Sequence, residues 1–144
     1  AAVLRPWNLS MGIPEDAKEA LAKQSDPAIL KEINNDLSKI TTEVIFDAAK
    51  GNDKLAIELL EKAGERLGVR IAFLVNLLNP GVVVIGGGIE QAGPPLIDAI
   101  KRMVKTCCFE EMAEAVKIIP ARLGEDSVAV GSAILVVRNV FAQA

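Results

Sequence analysis

The sequence contains no histidine. That removes the commonest metal ligand and the commonest general base at neutral pH. Its two cysteines, Cys107 and Cys108, are adjacent. Neighbours of this kind cannot build an ordinary disulfide framework, and two thiolates without an imidazole do not complete a zinc site. They read as half-buried thiols on a helix in a reducing compartment. Aromatic residues are scarce, one Trp, four Phe and no Tyr, which argues against a surface that stacks bases or sugars. The best apolar run, "IAFLV" followed by "NLL", is interrupted by Asn76. It falls short of the roughly 18 residues a membrane span needs. The N-terminal "AAVLRPWNLS" has neither a basic n-region nor a continuous apolar core, so it is not read as a signal peptide. A net charge of −3 gives the chain as a whole no attraction to nucleic acid or anionic lipid. The cytoplasm is the expected compartment.

What is present suits one globular domain. The 144 residues are 51% hydrophobic and 24% charged, and a chain of this length should bury roughly 70% of its unfolded surface. After an irregular start, "PEDAKEALAKQ" has Pro14 and two acids where a helix begins. "SDPAILKEINNDL" predicts a second helix entered at Pro27. "LSKITTEVIFDAAKG" has apolar residues at Leu37, Ile40, Val44, Ile45 and Ala48, a helical stripe closed by Gly51. The longest element runs from Lys54 to Leu78, capped by Asn52 or Asp53. Its stripe is Leu55, Leu59, Ala63, Leu67, Ile71, Leu74 or Val75, and Leu78. Gly64 and Gly68 lie four apart in it. Each costs roughly 0.5–1 kcal/mol relative to alanine, so the pair implies a second backbone passing close by.

Asn79 and Pro80 end that helix. "GVVVIGGG" is then a short β-branched run, expected to be a strand buried on both faces of a parallel sheet. "GPPLIDAIKRMVKTCC" predicts a helix, "FEEMAEAV" a further turn or two, and "VKIIPARL" a second strand with Pro120 at its end or edge. "GEDSVAVGSAILVVRNVFAQ" predicts a last helix capped by Asp126 or Ser127. Two strands do not make a stable open sheet, since three or more are usually needed. The remaining strands are expected to be missing or supplied by another chain.

Three glycines at a strand exit call for a reason. Ligands of open α/β sheets sit at the carboxyl ends of strands, and glycine there frees peptide N–H groups and lets a ligand reach the backbone. "GGGIEQAGPP" also leads straight into a helix N-terminus. On pattern alone a structural turn is favoured over nucleotide contact. The run is neither G-x-G-x-x-G nor a P-loop.

Taken together, "AGERLGVRIAFLVNLLNPGVVVIGGGIEQAG" and "IIPARLGEDSVAVGSAILV" are similar to the C-terminal portion of the ROK family of bacterial sugar kinases and sugar-responsive repressors. Gly64, Gly68, Asn76, Asn79, Pro80, Gly86, Gly87, Gly88, Gly124, Gly131 and Ala133 carry the resemblance, over roughly residues 37–140. It implies an α/β fold, a helix-rich part of an actin-like, RNase H-like ATPase lobe with about two strands, with residues 1–144 as the C-terminal part of the second lobe. It implies that Gly86, Gly87 and Gly88 border the adenosine of ATP, with Ile89 and Glu90 flanking. Gly131 would serve packing. The family's D-x-G-x-T and G-T-G-x-G phosphate loops, its general-base aspartate, its zinc segment and the repressors' helix-turn-helix are absent from this sequence. The expected protein is therefore a piece, truncated or encoded by a short gene. It would be inactive alone, hold at most a partial ATP site, bind no zinc, and contact neither nucleic acid nor membrane. Sugar and ATP are partners of the complete protein, and the chain is expected to be a homo-oligomer or to lack its N-terminal part.

No catalytic residue stands out locally. Glu110 and Glu111 are sequence neighbours and diverge on a helix. Glu61 and Glu65 alternate with Lys62 and Arg66 as an ordinary solvated face. Glu125 and Asp126 suit a helix cap, and Ser127 and Ser132 have no base. Trp7 reads as an anchor in an apolar groove. Three functional readings follow: a nucleotide-side piece of a glucokinase-like enzyme, the effector or dimerisation lobe of a repressor, or an assembly module that completes its sheet with another chain.

Overall fold

A computed structural model describes residues 12–23 and 36–141. The helix expected over residues 25–37 falls almost wholly outside them, and Trp7 lies outside them too. Helix α1 is Ile13–Lys23, with acids Glu15 and Asp16 in its first turn. It buries Ile13, Ala17 and Leu21. Helix α2 is Thr42–Lys50, shorter than the apolar stripe predicts. Asp36 accepts from the Ser38 amide at 3.0 Å and from its hydroxyl at 2.6 Å, and these bonds hold the Asp36 carboxyl below its usual range. Such local side-chain bonds compete with helix, and residues 37–39 form a single 3-10 turn instead. Thr41 then caps α2, its hydroxyl accepting from the Val44 amide.

Helix α3, Lys54–Leu78, has the expected bounds. Asp53 is its cap and accepts from the Ala56 amide at 2.9 Å. Asn52 instead takes the left-handed conformation, φ 62°, that turns the chain out of α2. At the far end Asn79 is left-handed (φ 46°) and donates its N–H to the Val75 carbonyl at 2.8 Å, the usual stop for a helix whose next residue is proline.

Strand β1 (Val82–Ile85), helix α4 (Pro94–Cys107), helix α5 (Glu110–Ala115) and strand β2 (Lys117–Pro120) follow. The strands are parallel, with Val83 opposite Ile118 and Ile85 opposite Pro120. Helix α6, Ser127–Phe141, closes the described chain.

The core is built around α3. It buries Leu55, Leu59, Leu60, Ala63, Ile71, Ala72 and Val75, so Val75 and not Leu74 carries the stripe. Helix α4 covers this face with Leu96, Ile97, Ala99, Ile100 and Val104. The approach is close because Gly64 and Gly68 lack side chains. A Cβ at Gly64 would stand 2.5 Å from the Leu96 carbonyl oxygen and 2.7 Å from Ala99 Cβ. One at Gly68 would stand 2.6 Å from Met103 Cβ. Asn76 fixes the other end of the pair. Its amide donates to the Cys107 carbonyl at 3.1 Å and its oxygen accepts from the Phe109 amide at 3.2 Å, so it caps α4 and starts α5. The residue that interrupts the apolar run is therefore a clamp.

The expectation of a strand buried on both faces is corrected. Val83, Ile85 and Ile118 turn toward the helices, whereas Val82, Val84 and Ile119 are exposed on the opposite face. No described element covers that face. Helix α6 packs chiefly on the turn before it, and Ile134, Leu135, Val136, Val137, Val140 and Phe141 are all more than half exposed, Phe141 at 73%. Gly131, expected to serve packing, has nothing within 4 Å of a Cβ position, because α6 stands clear of the body. Val69, Phe73, Leu74, Leu77 and Leu78 form a further exposed apolar strip along α3.

Two consequences are measurable by denaturant unfolding. Gly64→Ala and Gly68→Ala should each destabilise by about 1–3 kcal/mol through overpacking, despite alanine's higher helix propensity, while Glu65→Ala one residue along should change stability by less than about 0.5 kcal/mol. Asn76→Ala, losing two hydrogen bonds, should cost about 1–2 kcal/mol.

Candidate functional site

Parallel strands joined by a helix bring their carboxyl ends to the same edge. Here β1 runs into Gly86–Gly88 and β2 into Ala121–Gly124. The two exits touch: a Cβ on Gly86 would lie 3.2 Å from Ala121 Cβ, and the Ala121 amide donates to the Ile85 carbonyl at 2.7 Å. Sequence reasoning named the first turn and treated the second only as helix capping. The parallel crossover itself was the signal that both exits share one edge.

Gly87 and Gly88 have φ 84° and 92°, values L side chains rarely adopt. They reverse the chain into a single 3-10 turn, Ile89–Ala92. Its closing hydrogen bonds run from the Gln91 amide to the Gly88 carbonyl and from the Gly93 amide to the Glu90 carbonyl, each 3.2 Å. Gly93, at φ 71° and ψ −154°, then opens α4, with Pro94 and Pro95 as its first two residues. A residue other than glycine would be strained there.

The five residues expected to border a nucleotide divide into two groups. Gly86 and Gly87 are exposed and Gly88 is half-buried, presenting bare backbone at the strand exit. Ile89 is buried and anchors the turn to the core. Glu90 is part-exposed as a residue, yet both of its carboxylate oxygens are covered and have no hydrogen-bond partner.

Of the other candidate acids, Glu125 and Asp126 follow directly on the β2 exit, whereas Glu110 and Glu111 lie before β2 in α5. Asp16 pairs with Arg66 between α1 and α3, and Glu110 and Glu111 are exposed in the first turn of α5. Among the described residues no group of three or more Cys, Asp or Glu side chains could hold a metal ion. Cys107 is exposed and Cys108 half-buried. The Cys108 thiol donates to the Ala72 carbonyl at 3.5 Å. Burial, and secondarily Cys107, pushes its pKa above the usual thiol value. No helix of the described residues is long and apolar enough to cross a membrane.

Comparison with known proteins decides the family, since the ROK family model matches residues 19–139. The chain belongs to the ROK family. Over 97 residues it is 34% identical to a glucokinase of Halalkalibacterium halodurans, covering 67% of this chain and 29% of that protein. Over 102 residues it is 34% identical to the DNA-binding transcriptional dual regulator NagC of Escherichia coli, covering 71% of this chain and 25% of that protein. Its fold matches a ROK family glucokinase from Streptomyces griseus, solved in complex with glucose and AMPPNP, with a TM-score of 0.72 and 22% identity over 85% of this chain and 39% of that one. The chain thus spans between a quarter and two-fifths of the length of these relatives. Its architecture is part of an actin-like ATPase fold.

At the far end of α4 the two thiols provide a direct check on burial. A thiol-reactive reagent at pH 8 should modify Cys107 at least about tenfold faster than Cys108, because Cys107 is exposed while Cys108 is half-buried with its pKa pushed up by burial. Peptide mass mapping against time reads this, and equal rates would mean that the end of α4 is open.

Proposed function

We propose that this chain is the C-terminal, nucleotide-side part of the second lobe of an ATP-dependent ROK sugar kinase, inactive by itself and cytoplasmic. The observation that carries this is the glycine turn at the shared carboxyl edge of β1 and β2, with Gly86 and Gly87 exposed beside the N-terminus of α4. That position suits the adenosine of ATP. Bare backbone admits a flat ligand closely, and the helix N-terminus favours the negative charge beyond it. Phosphoryl transfer to a sugar hydroxyl is mostly positioning and charge stabilisation, with an aspartate taking the hydroxyl proton. This chain's share would be to hold the nucleoside end. Its own acids are not assembled for proton transfer. The bare sheet face and the apolar α6 would be covered by the rest of the protein or by a second copy.

A second reading is supported by the equal identity to NagC. In a repressor the same lobe would couple sugar binding to assembly, and the glycine turn would serve the strand exit alone.

Titration calorimetry of the chain with ATP, with light scattering for its oligomeric state, separates these readings. The expected result is binding at about millimolar dissociation constant, near −4 kcal/mol, lost in Gly87→Val with the circular dichroism spectrum unchanged. A folded oligomer that takes up no ATP would overturn the nucleotide reading and leave the assembly role.

A further inference from the structure

The Glu90 side chain makes no hydrogen bond in the turn, and its surroundings are unusual. Buried carboxylates nearly always have a partner, because a covered oxygen gives up hydration and gets nothing back. Among the described residues the buried side-chain polar atoms left without one are the two Glu90 oxygens. On the helices packed against the turn, Lys50 of α2 pairs with Asp47 at 2.8 Å and Lys101 of α4 with Asp98 at 3.6 Å, and neither these nor Arg102 and Lys105 of α4 hydrogen-bond the Glu90 carboxylate.

The backbone around Glu90 is fixed. Ile89 and Ala92 are buried on either side of it, and Gly93 donates to the Glu90 carbonyl. The residue is nevertheless part-exposed while its oxygens are covered, so the side chain folds back under its own surface. No hydrogen bond holds the carboxylate in its covered position, so none is broken if it leaves.

We infer that Glu90 is a specificity-determining residue for the sugar of a nucleotide: its carboxylate turns out of its covered position and accepts the neighbouring 2′ and 3′ hydroxyls of ribose. The inference rests on the nucleotide reading of the glycine turn. Charge selects the end of the ligand. A carboxylate repels the triphosphate, so the nucleoside lies over Glu90. A vicinal diol offers two O–H donors that match the two carboxylate oxygens, as acidic residues do for ribose in dinucleotide folds.

The test is calorimetric titration of the chain, Glu90→Gln and Glu90→Ala with ATP, 2′-deoxy-ATP and inosine triphosphate, together with thermal melts without nucleotide. The wild-type chain should prefer ATP over 2′-deoxy-ATP by about tenfold, the scale of one charge-assisted hydrogen bond. Glu90→Ala should bring that ratio within about twofold and leave the ATP to inosine triphosphate ratio unchanged. Neither variant should melt below wild type, since neither loses a side-chain hydrogen bond. An unchanged ATP to 2′-deoxy-ATP ratio in Glu90→Ala would overturn this inference and leave the nucleotide reading standing. So would a change confined to inosine triphosphate, or a lowered melting temperature in Glu90→Gln, which would mean a partner within the protein. Absence of ATP binding by folded wild type would overturn the nucleotide reading and this inference together.

Discussion

The contact between Gly64 and Gly68 of α3 and the backbone of α4 is the constraint on which the rest depends. Helices whose contact residues have side chains pack 8–10 Å apart. Here the Leu96 and Ile100 carbonyl oxygens occupy the space that a Cβ would fill. The two glycines cost about 1–2 kcal/mol in helix propensity. That cost is offset because α4 lies deep enough on α3 to bury Leu96, Ala99 and Ile100 completely. The position of α4 fixes both of its ends. At its start Gly93 and the two prolines set the glycine turn. At its finish Asn76 of α3 holds the Cys107 carbonyl and the Phe109 amide. The strand exits are therefore positioned from α3 through α4, and the shape of the turn follows from helix packing two layers away.

Burial is strongly one-sided around this unit. Inward residues of the sheet meet α3 and α4, while Val82, Val84 and Ile119 face outward with no described neighbour. Helix α6 is apolar around most of its circumference, since Ile134, Leu135, Val136 and Val137 are consecutive. A helix hydrophobic all round belongs inside a protein. Exposed apolar patches of this extent mark surfaces that another element covers. The bare sheet face and α6 occur in a chain that spans a quarter to two-fifths of the length of these ROK relatives.

Much of this was legible in the sequence because it rests on local chemistry. The bounds of α3 follow from Asp53 at one end and Asn79–Pro80 at the other, and the Gly64–Gly68 spacing announced the close approach of another backbone. The start of α2 was misread because the bonds between Asp36 and Ser38 outcompete the helical stripe over residues 37–40. The burial of β1 was misread for a different reason. A run of β-branched residues reports the environment for which the strand evolved, which includes layers that these residues do not supply. The pairing of Gly86 with Ala121 escaped because the residues are 35 positions apart, and only the parallel crossover brings them together. The covered state of the Glu90 carboxylate was beyond any pattern, since it depends on a side-chain rotation.

The same architecture is similar to parts of a glucokinase and of a transcriptional regulator, and in the proposed reading this part does no bond chemistry. Its contribution is a rigid edge of bare backbone, built by the α3–α4 contact and aimed by positive-φ glycines. In the proposed kinase reading such an edge would hold the nucleoside while the reacting groups sit elsewhere, so that binding energy remote from the transferred phosphoryl is used for orientation. A repressor needs the same edge only as a turn that connects a strand to a helix whose position can report on the lobe. Selection in the two cases therefore acts differently on one residue type. The turn glycines are demanded by backbone conformation in both. The covered Glu90 carboxylate, by contrast, has no hydrogen-bond partner within the described residues, and the proposed ribose contact would give it one only in a nucleotide-binding chain. Under the proposed reading Glu90, more than the glycines beside it, is the residue whose task would differ between a kinase and a repressor.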